Sequence, residues 1–412
     1  MKYHKKNECR ICSSQDLELI LDLGEQPLAN AFLKKEDLGK NENRFPLRLF
    51  LCKNCFLLQL LDIVEKEFLF KQYLYLTSAS KPIVNHFKKY AFEVYNEFLK
   101  GKEKSLVIEI GSNDGSLLQE FKKLGTSVLG IEPAENIAKM ANNAGIPTKN
   151  AFLTYDIAEK ISVERQATVI VANNVFGHVD NLHEFMKCIK NLLKDEGVFV
   201  FEVPYLLDLI KKLEFDTVYH EHLSYFSLGP LKKLMNDSGF EIINVEKQNV
   251  HGGTIRVFAS KKNNLNPKKH LEEFLISEQR FGINELETYR KFSNDVEQLK
   301  TSLIKELEKL KKENKIIFGY GSPAKGNVLL NYCNIDTKFL DFIIDTTPLK
   351  QGLYTPGTHI PVKSNRDIKE KESIQIAFLL AWNYQKEILE KENKFRNNGG
   401  KFLIPIPSPR IV

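Results

Sequence analysis

Val107-Ile-Glu-Ile-Gly-Ser-Asn-Asp-Gly115 is an apolar strand that runs into a turn bounded by two glycines. Ser116–Leu124 follows with the apolar spacing of a helix that stops near Gly125. Strand, tight turn and helix in that order open an α/β sheet, and the pattern repeats outward. Ser127–Ile131 reads as the second strand and Ala134–Ala144 as the second helix, stopped by Gly145-Ile-Pro147. Ala167–Ala172 and Val198–Val203 are further apolar strands, with the helix His183–Leu193 between them. Buried strands alternating with helices predict a parallel sheet covered on both faces. Phe240–Lys247 and Thr254–Ser260 are expected to close it as an antiparallel hairpin around His251-Gly-Gly253.

On the N-terminal side lie two Cys-x-x-Cys pairs, Cys9/Cys12 and Cys52/Cys55. A CxxC hairpin puts both sulfurs on one side of a tight turn, and two hairpins complete a tetrahedron. Four thiolates leave no open coordination position, so the expected zinc is structural. The short strand Leu47–Leu51 belongs to this loop-rich lobe, which is too small to bury much apolar area without a metal. Residues of about 64–100 carry helical spacing (Phe87, Ala91, Val94, Phe98), broken by Tyr73-Leu-Tyr-Leu-Thr-Ser-Ala-Ser80.

On the C-terminal side, residues of about 265–314 are rich in Lys and Glu with Leu or Phe at helical spacing, as in one or two connecting helices. A second α/β pattern starts at Lys315: strand Ile316–Gly319, a glycine turn, helix Ala324–Tyr332 and strand Phe339–Ile344. Strand Ile374–Ala381, a helix near Tyr384–Glu392 and strand Phe402–Ile406 follow. The expected domains are a zinc-binding lobe (1–65), a cofactor-binding sheet domain (66–262) and linker helices with a second Rossmann-like α/β domain (263–412).

Composition limits the function. The 412 residues, 42% hydrophobic and 27% charged, are those of a globular protein of two or three domains. No apolar run approaches the roughly 20 residues that span a bilayer, and the Met1–Glu8 start lacks an apolar signal core. Six cysteines, four of them at zinc spacing, fit a reduced, cytoplasmic protein with no membrane partner. The net charge of +6 comes from Lys interleaved with Glu. Without a basic stripe or recognition-helix pattern, a nucleic-acid partner is not expected.

The glycine turn offers a helix N-terminus and close backbone approach at Gly111 and Gly115. It lacks the G-x-G-x-x-G spacing of a dinucleotide fingerprint, and Glu109 and Asp114 repel pyrophosphate. An acidic turn favours S-adenosylmethionine, whose sulfonium is positive, over NAD. Glu132, ending the next strand, is placed to take ribose hydroxyls. Asn113, Asn173 and Asn174 are further cofactor candidates, the last two in Asn173-Asn-Val-Phe-Gly-His178 at a strand's C-terminal end. Tyr219-His-Glu-His-Leu-Ser-Tyr-Phe226 is the densest titratable cluster, suited to a general base with an orienting carboxylate, or to a His-x-His metal site. Backbone amides and Lys325 in Gly319-Tyr-Gly-Ser-Pro-Ala-Lys-Gly326 are candidates to grip an anion such as a diphosphate.

In order along the chain, the cysteine lobe with Leu23-Gly-Glu-Gln-Pro-Leu-Ala-Asn-Ala-Phe32, the cofactor turn, Tyr219-His-Glu-His222 and His251-Gly-Gly-Thr254 resemble one family. Gly319–Lys325, Pro356-Gly-Thr-His-Ile-Pro361 and Trp382-Asn-Tyr384 extend the match over nearly the whole sequence. It is that of the three-domain sugar C-methyltransferases of deoxysugar biosynthesis, which use S-adenosylmethionine to methylate nucleotide-linked ketosugars. The resemblance implies a central class I methyltransferase sheet and a structural zinc on Cys9, Cys12, Cys52 and Cys55. It implies cofactor binding at Glu109–Gly115 and Glu132. It makes His222 the general base, supported by Glu221 and Tyr219, with His178 and Tyr73 against the sugar. Tyr75 is an alternative to Tyr73; His251, Arg256 and Lys325 are the other candidate substrate contacts. The substrate implied is a TDP- or GDP-type 4-ketosugar, methylated at C3 through an enolate. The rival readings are an NAD(P)-dependent sugar dehydrogenase or epimerase, a zinc-knuckle nucleic-acid binder and a silent sugar-binding homologue.

Overall fold

The computed structural model describes residues 3–66, 69, 76–79, 81–250, 252–262, 270–364 and 374–412. Its centre is a seven-stranded sheet formed by β1 (Leu106–Ile110), β2 (Ser127–Glu132), β3 (Thr148–Asn150), β4 (Ala167–Asn173), β5 (Leu193–Pro204), β6 (Phe240–Gln248) and β7 (Thr254–Lys261). The strands lie in the order β3-β2-β1-β4-β5-β7-β6. β1 to β5 are parallel, and β7 runs antiparallel between β5 and β6. The order reverses between β1 and β4, and an open α/β sheet opens its ligand crevice at such a switch point. All five residues of β1 are buried, and so are the first six of β4, which is why both read as continuous apolar runs. The expected hairpin is β6 with β7, closing at Gln248 opposite Thr254.

The lobe before this sheet is itself a four-stranded sheet, made of Leu17–Pro27, Arg44–Cys52, Leu58–Leu60 and Ser224–Tyr225. The last strand comes from the methyltransferase-like domain and pairs with Leu58 and Gln59. The lobe is therefore sewn to the chain about 165 residues on, and its sheet is incomplete without that strand. Arg10, buried, adds a bond to Asp180 at 3.1 Å, and the His183 imidazole donates to the Ile11 carbonyl at 2.8 Å.

Two helices, His270–Phe281 and Leu286–Lys312, lead to the C-terminal domain. Its sheet contains β8 (Ile316–Tyr320), β9 (Ile343–Ile344), β10 (Val362–Lys363), β11 (Ile374–Leu379), β12 (Lys401–Ile404) and β13 (Arg410–Ile411). They are ordered β10-β9-β8-β11-β12-β13, parallel except at the last pair. The fold is thus α/β, with two Rossmann-like sheets and a cysteine lobe, as the sequence predicts. Some elements differ. The strand expected over Phe339–Ile344 is reduced to Ile343–Ile344, because the Asp336 carbonyl accepts from the Phe339 and Leu340 N–H groups and winds that stretch into a turn. The sequence reading also has no counterpart for β3 or for the helices Tyr155–Glu164, Leu206–Lys211 and Leu228–Asp237. Among the described residues no helix is long and apolar enough to cross a membrane.

Candidate functional site

The four lobe cysteines converge, with their sulfurs all within 4.8 Å of one another. Cys9 to Cys55 and Cys12 to Cys52 are each 3.5 Å apart, close to the ~3.8 Å edge of a tetrahedron with Zn–S bonds of ~2.3 Å. Both knuckles are built alike. Ser13 and Phe56, each following the second cysteine of its pair, adopt φ of 55° and 60°. Their N–H groups donate to the carbonyls of Cys9 and Cys52 at 3.0 and 2.8 Å. The donor set fits zinc and closes the coordination sphere, so the metal is structural.

A cavity of about 560 Å³ opens at the switch point. Glu109, Gly111, Asn113, Glu132, Asn173 and Asn174 line one end, and His178, Glu221 and Asp180 line the other. The Glu132 carboxylate accepts from the Asn113 and Ala134 N–H groups, both at 2.9 Å, so it is anchored at the strand end with a raised pKa caused by burial. Gly111 has φ of 65°, and a Cβ there would meet Val175 at 2.3 Å, so only glycine lets the turn pass. Glu109 is 3% exposed, and burial pushes its carboxyl well above the ordinary carboxylate range, with neighbouring Asn173 pulling it down. Neither Glu109 Oε2 nor the Asn173 amide has a hydrogen-bond partner among the described residues. Polar atoms buried in a cavity wall without a protein partner fit a polar ligand there.

The side chains of Asn113 and Asp114 also hold the chain around the site together. The Asn113 carbonyl oxygen accepts from the Thr77 N–H at 3.0 Å, and Asp114 accepts from Ser78 N–H at 2.9 Å and from the Ser116 hydroxyl at 2.5 Å. Both side chains tie the Thr77–Ala79 turn, and with it the entry to helix Lys81–Val94, onto the glycine turn. Gly115, with φ of 78°, lets the chain enter the following helix and stands outside the cavity lining.

His178 and His222 are brought together, with ring centroids 5.0 Å apart, and Tyr219 lies 3.9 Å from His222 on the other side. His222 Nδ1 donates to the Thr217 carbonyl at 2.8 Å. Neither His222 nor Tyr219 is part of the cavity lining; His222 abuts it through His178. Desolvation pushes His178 down to about 4, so it stays a neutral imidazole. Glu221 accepts from Asn30 Nδ2 of the zinc lobe at 2.7 Å, and the group found at His222 Nδ1 is the Thr217 carbonyl. His220 turns away to donate to the Phe45 carbonyl at 3.3 Å, so the two histidines of the His-x-His do not share a ligand position.

Arg256 and Lys325, expected at the substrate, both have partners within the protein. Arg256 is 1% exposed, donates to Glu202 at 2.9 Å and Glu93 at 3.0 Å, and stacks 3.7 Å over Tyr90. Burial alone would raise the Glu202 carboxyl, but His86 (2.9 Å) and Arg256 outweigh it and hold it low. Arg256 is a buried tie between β7 and β5 and is not among the residues that line the cavity. Lys325 lies 4.2 Å over the Trp382 ring, and Asp216 and Glu214 already oppose its charge. Tyr73, Tyr75 and His251 lie outside the described residues. Asn30, Thr217, Asp216 and Trp382 join the site without having been singled out for a role in the sequence. The only signal for Asn30 and Trp382 is their place in the Leu-Ala-Asn-Ala-Phe and Trp-Asn-Tyr motifs.

Comparison with known proteins agrees with this architecture. Residues 9–70 match a family described as a zinc binding domain, residues 84–245 a methyltransferase domain, and residues 249–407 a C-methyltransferase C-terminal domain. The C-methyltransferase NovU of Streptomyces niveus is 36% identical over 410 residues, covering 98% of this chain and 97% of NovU. An uncharacterized methyltransferase of Staphylococcus carnosus is 29% identical over 168 residues, covering 38% of this chain and 79% of that protein. Magnesium protoporphyrin IX methyltransferase of Synechocystis, solved with bound cofactor, has a TM-score of 0.34 at 12% identity, over 44% of this chain and 82% of its own. With a zinc-type cysteine cage, a switch-point cavity ending at Glu132 and full-length identity to NovU, the chain belongs to the three-domain S-adenosylmethionine-dependent C-methyltransferases.

Proposed function

We propose that the protein methylates the carbon alpha to the keto group, at C3, of a nucleotide-linked 4-ketosugar. The observation that carries this reading is the His222 imidazole, held through Nδ1 by Thr217 and flanked by Tyr219 and His178 at one end of the cavity. With Nδ1 donating to a carbonyl, Nε2 bears the lone pair and can accept a proton. The neighbouring keto group acidifies the C–H, because the resulting anion delocalises onto oxygen as an enolate. Imidazole alone is too weak a base for such a carbon, so donors must stabilise that oxygen. Neutral His178 and the Tyr219 hydroxyl suit that task, with Tyr73 or Tyr75 as a third candidate.

Burial depresses the basicity of His178 to about 4, which suits it to donate a hydrogen bond and not to take the proton. Glu132 and the backbone at Gly111 would hold the cofactor, and bound S-adenosylmethionine supplies an electrophilic methyl group. The main work of the fold is then to keep two substrates in contact and exclude water. The nucleotide, of TDP or GDP type, falls to the C-terminal domain in this reading. The test is incubation with labelled S-adenosylmethionine and a panel of TDP-, GDP- and CDP-linked 4-ketosugars, with the new methyl located by NMR. Label on C3 of one nucleotide series is expected; label on oxygen or nitrogen, or on none of the panel, would overturn the proposal.

A further inference from the structure

The segment that carries His222 is gripped by both flanking domains. At its start the Trp382 indole N–H, from the C-terminal domain, donates to Asp216 Oδ2 at 2.7 Å. Asp216 is 0% exposed and its other oxygen has no partner among the described residues, so this bond fixes the carboxylate. The next residue, Thr217, presents the carbonyl that accepts from His222 Nδ1. Near the middle, Asn30 of the zinc lobe donates to Glu221 at 2.7 Å. Asn30 sits in a loop that is itself pinned by Asn327 Nδ2, which donates to the Ala29 carbonyl at 2.7 Å. Directly after the segment, Ser224–Tyr225 is a strand of the zinc-lobe sheet, and the Leu60 N–H donates to the Leu223 carbonyl at 3.0 Å.

We propose that Trp382 and Asn30 are positioning residues for methyl transfer, which act through Asp216–Thr217 and through Glu221 to fix the tautomer and ring plane of His222. The inference rests on the reading of His222 as the general base. Its physical content is that a buried carboxylate must keep its donor. Without the indole N–H, Asp216 has to move or draw in water, and the Thr217 carbonyl moves with its neighbour. The zinc lobe and the C-terminal domain would thus be parts of the catalytic geometry, which explains why the base lies on a segment that no single domain encloses.

The test uses full-length, zinc-loaded protein with 15N-labelled histidine. The His222 ring signal is assigned by its disappearance in His222→Gln, and its shift reports which nitrogen carries the proton without any substrate. Trp382→Phe keeps an aromatic ring under Lys325 but removes the donor; Asn30→Ala removes the second grip. In each variant the signal is expected to move from the Nδ1–H tautomer toward a mixture. The expected kcat falls about 10-fold, with the KM for S-adenosylmethionine within about twofold of wild type, as befits misplacement of a reacting group. A merely structural role would lower the melting temperature and leave the folded protein's tautomer and kcat unchanged, and that result overturns the proposal. If Trp382→Phe fails to fold, Asn30→Ala alone decides. Unimpaired turnover by His222→Asn would instead remove the base assignment on which the inference rests, and the tautomer shift would then still report whether the two grips hold the ring.

Discussion

The carbonyl oxygen of Thr217 lies 2.8 Å from Nδ1 of His222, and that contact decides which face of the ring is available for chemistry. A carbonyl can only accept, so the proton sits on Nδ1 and Nε2 keeps its lone pair. The orienting group is thus a backbone atom, whose position depends on how the Phe215–Thr217 turn is held. A carboxylate orienter would also raise the basicity of the ring, whereas a carbonyl mainly sets its direction. The demand on oxyanion donors such as His178 and Tyr219 is correspondingly larger.

Protein purified without chelator should contain about one zinc per chain by metal analysis. The four sulfurs already stand at tetrahedral spacing, and the lobe they staple pairs with Ser224–Tyr225. Removing the metal is expected to loosen that strand and abolish activity together with it. A folded lobe at zero zinc would contradict the assignment.

Glu132→Ala should weaken S-adenosylmethionine binding by about 1–3 kcal/mol, the loss of charged hydrogen bonds, with the fold retained. Because Glu132 also accepts from the Asn113 and Ala134 N–H groups, Glu132→Gln should fall between. Titration calorimetry gives the answer, and an unaltered dissociation constant would place the cofactor elsewhere.

Arg256→Met should cost about 3–5 kcal/mol in urea unfolding, because it leaves the buried Glu202 with His86 as its one remaining charged partner among the described residues. Binding of S-adenosylmethionine by the protein that remains folded should be little changed. Full stability with a raised KM for the sugar would assign Arg256 to substrate binding instead.

Acid should act through His220. Its folded-state pKa is lowered from 6.5 to about 4 by burial, so between those values the unfolded chain binds a proton that the folded chain refuses. Stability therefore falls as pH drops from 6.5 toward 4, by up to about 3 kcal/mol for this one group. In His220→Phe that share of the acid sensitivity should vanish, at a pH-independent cost of about 1 kcal/mol for the lost bond to Phe45. Parallel unfolding curves against pH for the two proteins would contradict this.

The parts of the molecule legible in the sequence are those set by local rules. The β1 turn, the two knuckles and the acidic residue ending β2 each follow from residues within a short window, and the structure brings Glu109, Gly111 and Glu132 to one cavity. What was not legible depends on register and on long-range partners. Arg256 stands in an apolar strand, and only the β5–β7 register shows that it lies opposite Glu202. No local rule shows Thr77 and Ser78 returning to meet Asn113 and Asp114. The contacts of Asn30 with Glu221 and of Trp382 with Asp216 join residues 191 and 166 positions apart, and nothing in either neighbourhood announces them.

The central claim is that His222 removes the proton alpha to the ketone, and exchange in deuterium oxide tests it most directly. Wild-type protein given a 4-ketosugar and S-adenosylhomocysteine should wash deuterium into the α-carbon without methylation. His222→Asn should fail to exchange and should lose about 10²–10⁴-fold in turnover, while binding S-adenosylmethionine near the wild-type level. Normal exchange and methylation by that variant would contradict the account and leave the Tyr219–His222 stretch a purely structural element.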